Sequence, residues 1–404
     1  MDKKIIAIIL VVIVAVAAVA VYVATSNNNN GKAEASDYVE LGLTNNFFPD
    51  HTCCVIAANY KFMKDNPVIL ERFLAGYYDG VNFVNNALKD TSSEDYQWLV
   101  QFTMTKVPNL TEDEVKSALA DIEYLYADGT DGNLAGLKND MVDLLAGLKE
   151  VNALTREVAN PTSFVNNYVD DTYLKAAIEK ASPYMGQTAK VKVAVITGDI
   201  HQIAIHVAQA KNYFDTYKIE TELSGSANGG GVATALLNGD CVVGFLGAPP
   251  ATIQMVNNGY IDSVKVQDED KAFNIVARVN SEGSGLFIDS KVLDKGTSDV
   301  PMRNGTPFYT VKGDEYVVST ENAKAWGGLV FGTPGTTSIQ HIQLLTLATK
   351  LGLRTQMYIV GTDLQSNTLY YVANLSNYEL ITTNPYINGG IIWEPQYQRV
   401  VQEA

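Results

Sequence analysis

Three cysteines in 404 residues, Cys53, Cys54 and Cys241, are too few for the disulfide framework that staples small secreted domains. An odd set with two adjacent members reads instead as buried thiols acting as small apolar groups. Histidine is equally scarce. Of His51, His201, His206 and His341, the pair at 201 and 206 is five residues apart and does not share a helical face as i,i+4 metal ligands would. Positive charge is short too: 29 Lys+Arg stand against 45 Asp+Glu, a formal net charge of -16. No basic stripe offsets that repulsion, which disfavours nucleic acid and anionic membrane surfaces as partners, while a small anion in a locally positive cleft stays open. No internal repeat is evident.

What is present describes a folded protein larger than one core serves. Apolar residues make up 47% and charged residues 18%, and the length calls for two lobes. Met1-Asp2-Lys3-Lys4 precedes an uninterrupted apolar run over 5–24, long enough to cross roughly 30 Å of hydrocarbon. The two lysines favour a cytoplasmic start, which puts the rest outside. A transmembrane anchor over 1–25 is the reading adopted; a cleavable signal segment is the alternative. Asn27 to Asn30 and the residues up to Ser36 form a flexible spacer over 26–36.

From 38 to 181 the pattern is mostly helical, broken by a β-like run over 52–58. Pro67 opens a helix whose apolar face includes Leu70, Phe73, Leu74 and Tyr77. Thr111 and Glu114 form a capping box. After 182–190 the texture becomes strand–helix alternation, the signature of a mainly parallel sheet. Strands are expected at 190–196, 219–223, 242–246, 273–279, 356–360 and 379–382, with helices at 201–214, 230–237, 250–257, 338–350 and 364–372. Residues 291–328 read as a polar insertion, more loop or hairpin than core.

Strand ends that run into helices are where such proteins bind ligands, because helix N-terminal amides point into the crevice. Four junctions qualify: Thr197 to Gln202, Ser226 to Gly231, Gly247 to Pro250, and Gly332 to Ser338. Any one of them is equally well a plain chain reversal; their accumulation makes the case. The last lacks the lysine of a nucleotide-binding loop, and no dinucleotide fingerprint is present. Asp50-His51 beside Cys53-Cys54 admits a soft metal, but a structural role fits better, so neither metal nor cofactor is assigned. No serine or cysteine has a motif-level base, so no catalytic residue is assigned. Three sequons, at Asn109, Asn304 and Asn374, are compatible with an extracytoplasmic location.

These landmarks resemble the solute-binding proteins of ABC importers for nitrate, sulfonate, taurine and bicarbonate. Val191-Lys192-Val193 through Gln202 looks like that family's first strand and ligand loop. Ala227 to Gly231, Ala235 to Gly239, Gly247 to Pro250, Asn280 to Ser284, Gly332 to Gly335, Ser338 to His341 and Trp393-Glu394-Pro395 continue in family order. The family's closing histidine-proline-cysteine-cysteine segment and helical tail come first here, as His51-Thr52-Cys53-Cys54 and the helices to 180, with Thr52 in place of proline.

The resemblance therefore implies an α/β, two-lobed periplasmic-binding-protein type 2 fold with mixed, mainly parallel sheets, circularly permuted behind an N-terminal transmembrane helix. A domain-swapped pair of half-proteins and a remnant of a tandem duplication are the alternatives to permutation. Residues 37–181 and 191–290 would build lobe 1, 182–190 the permutation linker, 329–392 lobe 2, and 393–404 the crossover back. The implied role is capture of a small anionic solute and its delivery to the transmembrane subunits of an ABC permease. A tethered sensor or binding module is the runner-up. An enzyme resembling the pyrimidine-precursor synthases of thiamine biosynthesis is a third, disfavoured by the outward anchor. Carried over residue by residue, the resemblance puts Gly198, Asp199, His201 and Gln202 on one wall of the cleft. Gly230, Ala248 and Pro249 would lie nearby, Thr336, Thr337 and Ser338 on the other lobe, and Glu394 at the crossover.

Overall fold

The computed structural model describes residues 38–49, 51–150, 152–179, 186–260, 266–296 and 299–402. The expected anchor, the spacer and residues 182–185 of the 182–190 linker lie outside these residues; among the described ones no helix is long and apolar enough to cross a membrane. In chain order the strands are β1 Tyr38–Leu43, β2 Thr52–Asn59, β3 Ile122–Tyr124, β4 Ala189–Ile196, β5 Ile219–Ser226, β6 Val243–Gly247, β7 Phe273–Glu282 and β8 Ser284–Asp289. Then come two hairpins, β9 Met302–Arg303 with β10 Thr306–Pro307 and β11 Thr310–Lys312 with β12 Glu315–Val317. The last strands are β13 Val330–Gly332, β14 Arg354–Met357, β15 Thr368–Val372 and β16 Gly389–Trp393.

The chain is α/β, and its two six-stranded sheets are mixed. One has the order β3-β7-β2-β6-β4-β5 and the other β1-β8-β16-β13-β15-β14. In the first, β4 lies parallel to β5 and β6, whereas β2 runs antiparallel to β6 and β7. In the second, β14, β15, β13 and β16 are parallel and β8 opposes β16. Helices cover the strands, so β2, β8 and nearly all of β7 are buried on both faces. Each sheet has its own core. The first gathers Val55, Phe73, Ile205, Phe245 and Ile275; the second gathers Leu286, Trp326, Phe331 and Leu344.

Several expectations change. Residues 379–382 are the helix Tyr378–Thr382, whose cap Asn377 accepts from the Leu380 amide. Residues 364–372, expected to be helical, end in β15, because pairing with β13 and β14 on either side rewards Thr368-Leu369-Tyr370-Tyr371-Val372 as a strand. The insertion contributes core after all: Phe308 and Trp326 are fully buried, and the Trp326 indole donates to the Phe308 carbonyl at 2.8 Å. Sheet membership also cuts across the expected segments. β1 joins the second sheet and β2 the first, so 37–181 serves both, and the boundary expected at 290 falls at Gly283, between β7 and β8.

Candidate functional site at the seam between the sheets

The registers define where the sheets meet. β7 leaves the first sheet at Glu282 and β8 enters the second at Ser284, with Gly283 alone between them. Trp393 of β16 pairs with Ser284, Thr52 of β2 with Ser281, and Cys54 with Gly247. The carboxyl ends of the parallel strands in both sheets therefore face this one seam. Helix Ile339–Lys350 of the second sheet reaches across it, and Ile342 packs into the first sheet's core. The segment from β1 to β2 also crosses here. The Thr44 hydroxyl donates to the Ser284 carbonyl at 3.1 Å, and the Asn45 amide donates to Glu282 Oε2 at 3.0 Å.

Gly283 is the node. Its carbonyl accepts from the Glu394 amide at 2.9 Å and from His201 Nε2 at 2.8 Å. The other ring nitrogen, Nδ1, lies 2.7 Å from Asp199 Oδ1, which also accepts from the His201 amide at 3.0 Å. A carbonyl and a carboxylate can only accept, so both ring nitrogens carry protons and His201 is an imidazolium. Burial opposes that charge, but Asp199, Cys53 and the two hydrogen bonds outweigh it and push the imidazole up to about 9. The φ of Gly283 is +78°, and a Cβ there would lie 2.4 Å from His201 Nε2. Only glycine fits.

Beside this node lie Cys53 and Cys54, with sulfurs 3.8 Å apart. The hydrogen bond from Cys54 holds the Cys53 thiol below its usual range against the effect of burial, aided by His201. The same bond, together with burial, raises Cys54. On the far side, Gln398 Nε2 donates to Asp121 Oδ2 at 2.8 Å and to Glu394 Oε1 at 3.3 Å. Burial first, and the neighbouring Asp121 second, push the Glu394 carboxyl well above its usual range; burial also raises Asp121. A buried and a half-buried carboxyl sharing one amide donor retain a proton between them.

The expected site residues divide by what they do. Gly198 has φ +72° and open space where a Cβ would stand. Asp199, His201 and Gln202 come together, but they bind the scaffold. Gln202 accepts from the Ile196 amide at 2.9 Å and donates to the Phe245 carbonyl at 3.2 Å, tying β4 to β6. Gly230 sits in the first turn of helix Gly229–Asn238, capped by Asn228. Ala248 and Pro249 start helix Ala248–Gln254 and are buried; Pro249 and Pro250 lack N–H groups, so that terminus has few donors for an anion. Ser338 caps its helix by accepting from the His341 amide at 3.2 Å, while Thr336 and Thr337 are exposed. Glu394 is fully buried at the crossover.

Sequence reasoning missed Arg278, which is bound to Asp128 at 2.6 Å, Asp140 at 3.4 Å and the Thr52 hydroxyl at 2.9 Å. An arginine flanked by Ile275, Val276, Ala277 and Val279 in a strand was the available signal. It also missed Gln343, which is buried with neither amide atom hydrogen-bonded among the described residues. His206 and His341 are both lowered to about 4, chiefly by burial. With both nitrogens donating, His201 has no lone pair with which to take a proton from Cys53. Among the described residues no group of three or more His, Cys, Asp or Glu side chains is arranged to hold a metal ion. A cavity of about 610 Å³ lies elsewhere, between β1 and the insertion, lined by Gly42, Asp294, Met302, Tyr309 and Tyr316. None of its lining residues belongs to the seam, where the buried polar groups gather. A comparison with protein-family models, curated proteins and solved structures finds no match.

Proposed function

We propose that this chain is a solute receptor of the two-lobed periplasmic-binding-protein type 2 plan in circularly permuted order. It closes on a small anion of the nitrate, sulfonate, taurine or bicarbonate kind and passes it to an ABC importer from the extracytoplasmic face, to which its N-terminal segment anchors it. The observation that carries this reading is the seam: two six-stranded sheets aim the carboxyl ends of their parallel strands at each other and are joined by crossing segments at Gly283, at Glu394 and between β1 and β2. Permutation is supported by Tyr38 and Val400, which share a core cluster with Tyr397.

The anion would be met by helix N-terminal amides of Gly229–Asn238 and Ile339–Lys350 and by Thr336 and Thr337, rather than by His201 or Gln202, whose polar atoms are already committed. Native mass spectrometry of the full chain in a mild detergent, followed by melting in the presence of each anion, tests this. A monomer carrying a small co-purified mass, with one anion raising the melting temperature saturably, is expected. An obligate dimer with no response to any of these anions would overturn it. The second reading, a sensor or binding module, is favoured by the exposed apolar side chains of Met357 at the end of β14 and of Ile359, Val360 and Leu364 after it, which suit a protein partner.

A further inference from the structure

Neighbouring side chains on a regular strand point to opposite faces, so adjacent cysteines in a strand normally keep their sulfurs apart. Here they are 3.8 Å apart. The cause is a bulge: Thr52 pairs with Ser281 and Cys54 with Asn280, leaving Cys53 as the extra residue opposite β7. A second register shift follows between Cys54 and Val55, where Val279 is the extra residue on β7. The dithiol sits where β2 enters the first sheet, next to the His201 imidazolium and the Gly283 crossover. Both residues are buried, at 4% and 5% exposure.

We propose that Cys53 and Cys54 form a redox-sensitive site that closes reversibly to a vicinal disulfide by exchange with a low-molecular-weight disulfide. The Cys53 thiolate attacks one sulfur of the small disulfide, forming a mixed disulfide and expelling one thiolate, which takes up the Cys53 proton. The Cys54 sulfur then attacks Cys53 Sγ, forming the Cys53–Cys54 bond and releasing the second small thiol with the Cys54 proton. The protein dithiol loses two electrons and two protons; the small disulfide gains both and leaves as two thiols. Cys53 is the attacking sulfur because Cys54, Asn280 and His201 all favour its thiolate, and Cys54 is placed to resolve. Closure shortens the sulfur separation from 3.8 Å to about 2 Å, so the bulge tightens and the pairing of Thr52 and Cys54 with β7 shifts. Oxidation is thereby coupled to the strand that carries Asn280 and leads into Gly283. This inference does not depend on the solute reading.

The test is intact-mass analysis of the reduced full chain after incubation with hydroxyethyl disulfide, followed by peptide mapping. The expected product is lighter by about 2 Da, with the link between residues 53 and 54, and it returns to the starting mass with dithiothreitol. Cys54→Ser should trap a mixed disulfide on Cys53, and Cys53→Ser should react at least about tenfold more slowly. Cys241, fully buried and pushed up to about 12 chiefly by burial, is the internal control. A stable adduct on the wild-type chain, a link to Cys241, a link between chains, or no reaction of a chain whose circular dichroism is native would each overturn the proposal. The serine variants are checked by their melting curves, so loss of fold is distinguished from loss of chemistry.

Discussion

Gly283 and His201 tie their local geometry to the whole seam, and each supports a prediction at the residue scale. Gly283→Ala must leave a left-handed backbone and move the imidazole, and it should cost about 3 kcal/mol or more in urea unfolding. His201 has a folded value of about 9, above the roughly 6.5 of an unfolded chain. Its contribution is therefore fully present below about pH 6.5 and lost as pH rises through 9, a change on the order of 3 kcal/mol. His201→Gln should flatten stability between those limits, measured by urea titration at stepped pH. Glu394 has the opposite chemistry but the same sign. Its carboxyl is raised, so the folded chain holds a proton that it loses as pH climbs, and stability falls. Glu394→Gln keeps the contact to Gln398 without the charge and should raise the melting temperature at pH 8 while changing little at pH 4.

At the scale of elements, local signals and tertiary pairing contributed differently. The capping box read from Thr111 and Glu114 forms as expected, with the Thr111 hydroxyl accepting from the Glu114 amide at 3.2 Å. Thr111→Ala should cost about 1 kcal/mol in the same unfolding measurement. β15 and the helix Tyr378–Thr382 went the other way. Thr368 to Val372 carries no period that separates a short buried strand from a helical turn, and its identity comes from β13 and β14 on its two sides. The cap signal of Asn377 was present but short, and the apolar Leu380-Ile381 pair invites a strand reading. The bulge at Cys53 was not legible at all, since register belongs to a pair of strands and not to one.

For the described part of the molecule, the closeness of Tyr38 and Val400 predicts that the two sheets tolerate a different chain order. Tyr38 and Val400 pack in one cluster, so joining 402 to 38 through a short linker and opening the chain within 182–186 should leave both sheets intact. The rearranged protein should melt in one cooperative step with an unchanged far-ultraviolet circular dichroism spectrum. Two separate transitions would mean that the present order is itself needed to hold the seam.

By itself the sequence determined that the chain is α/β, that helices dominate before about residue 181 and alternation follows, and which glycine-bearing turns end the strands. Hydrophobic period, caps and turn residues act over a few positions, and they are written locally. Only the tertiary structure decided that the expected ligand residues Asp199, His201 and Gln202 bind the scaffold, that Glu394 meets Asp121, and that two neighbouring thiols share one side of a strand. His201 depends on Gly283, 82 positions away, and Gln202 on Phe245, 43 positions away, while Glu394 meets Asp121 from a distant part of the described chain. Hydrogen-bond satisfaction and proton sharing are properties of the groups brought together, and no segment carries them alone.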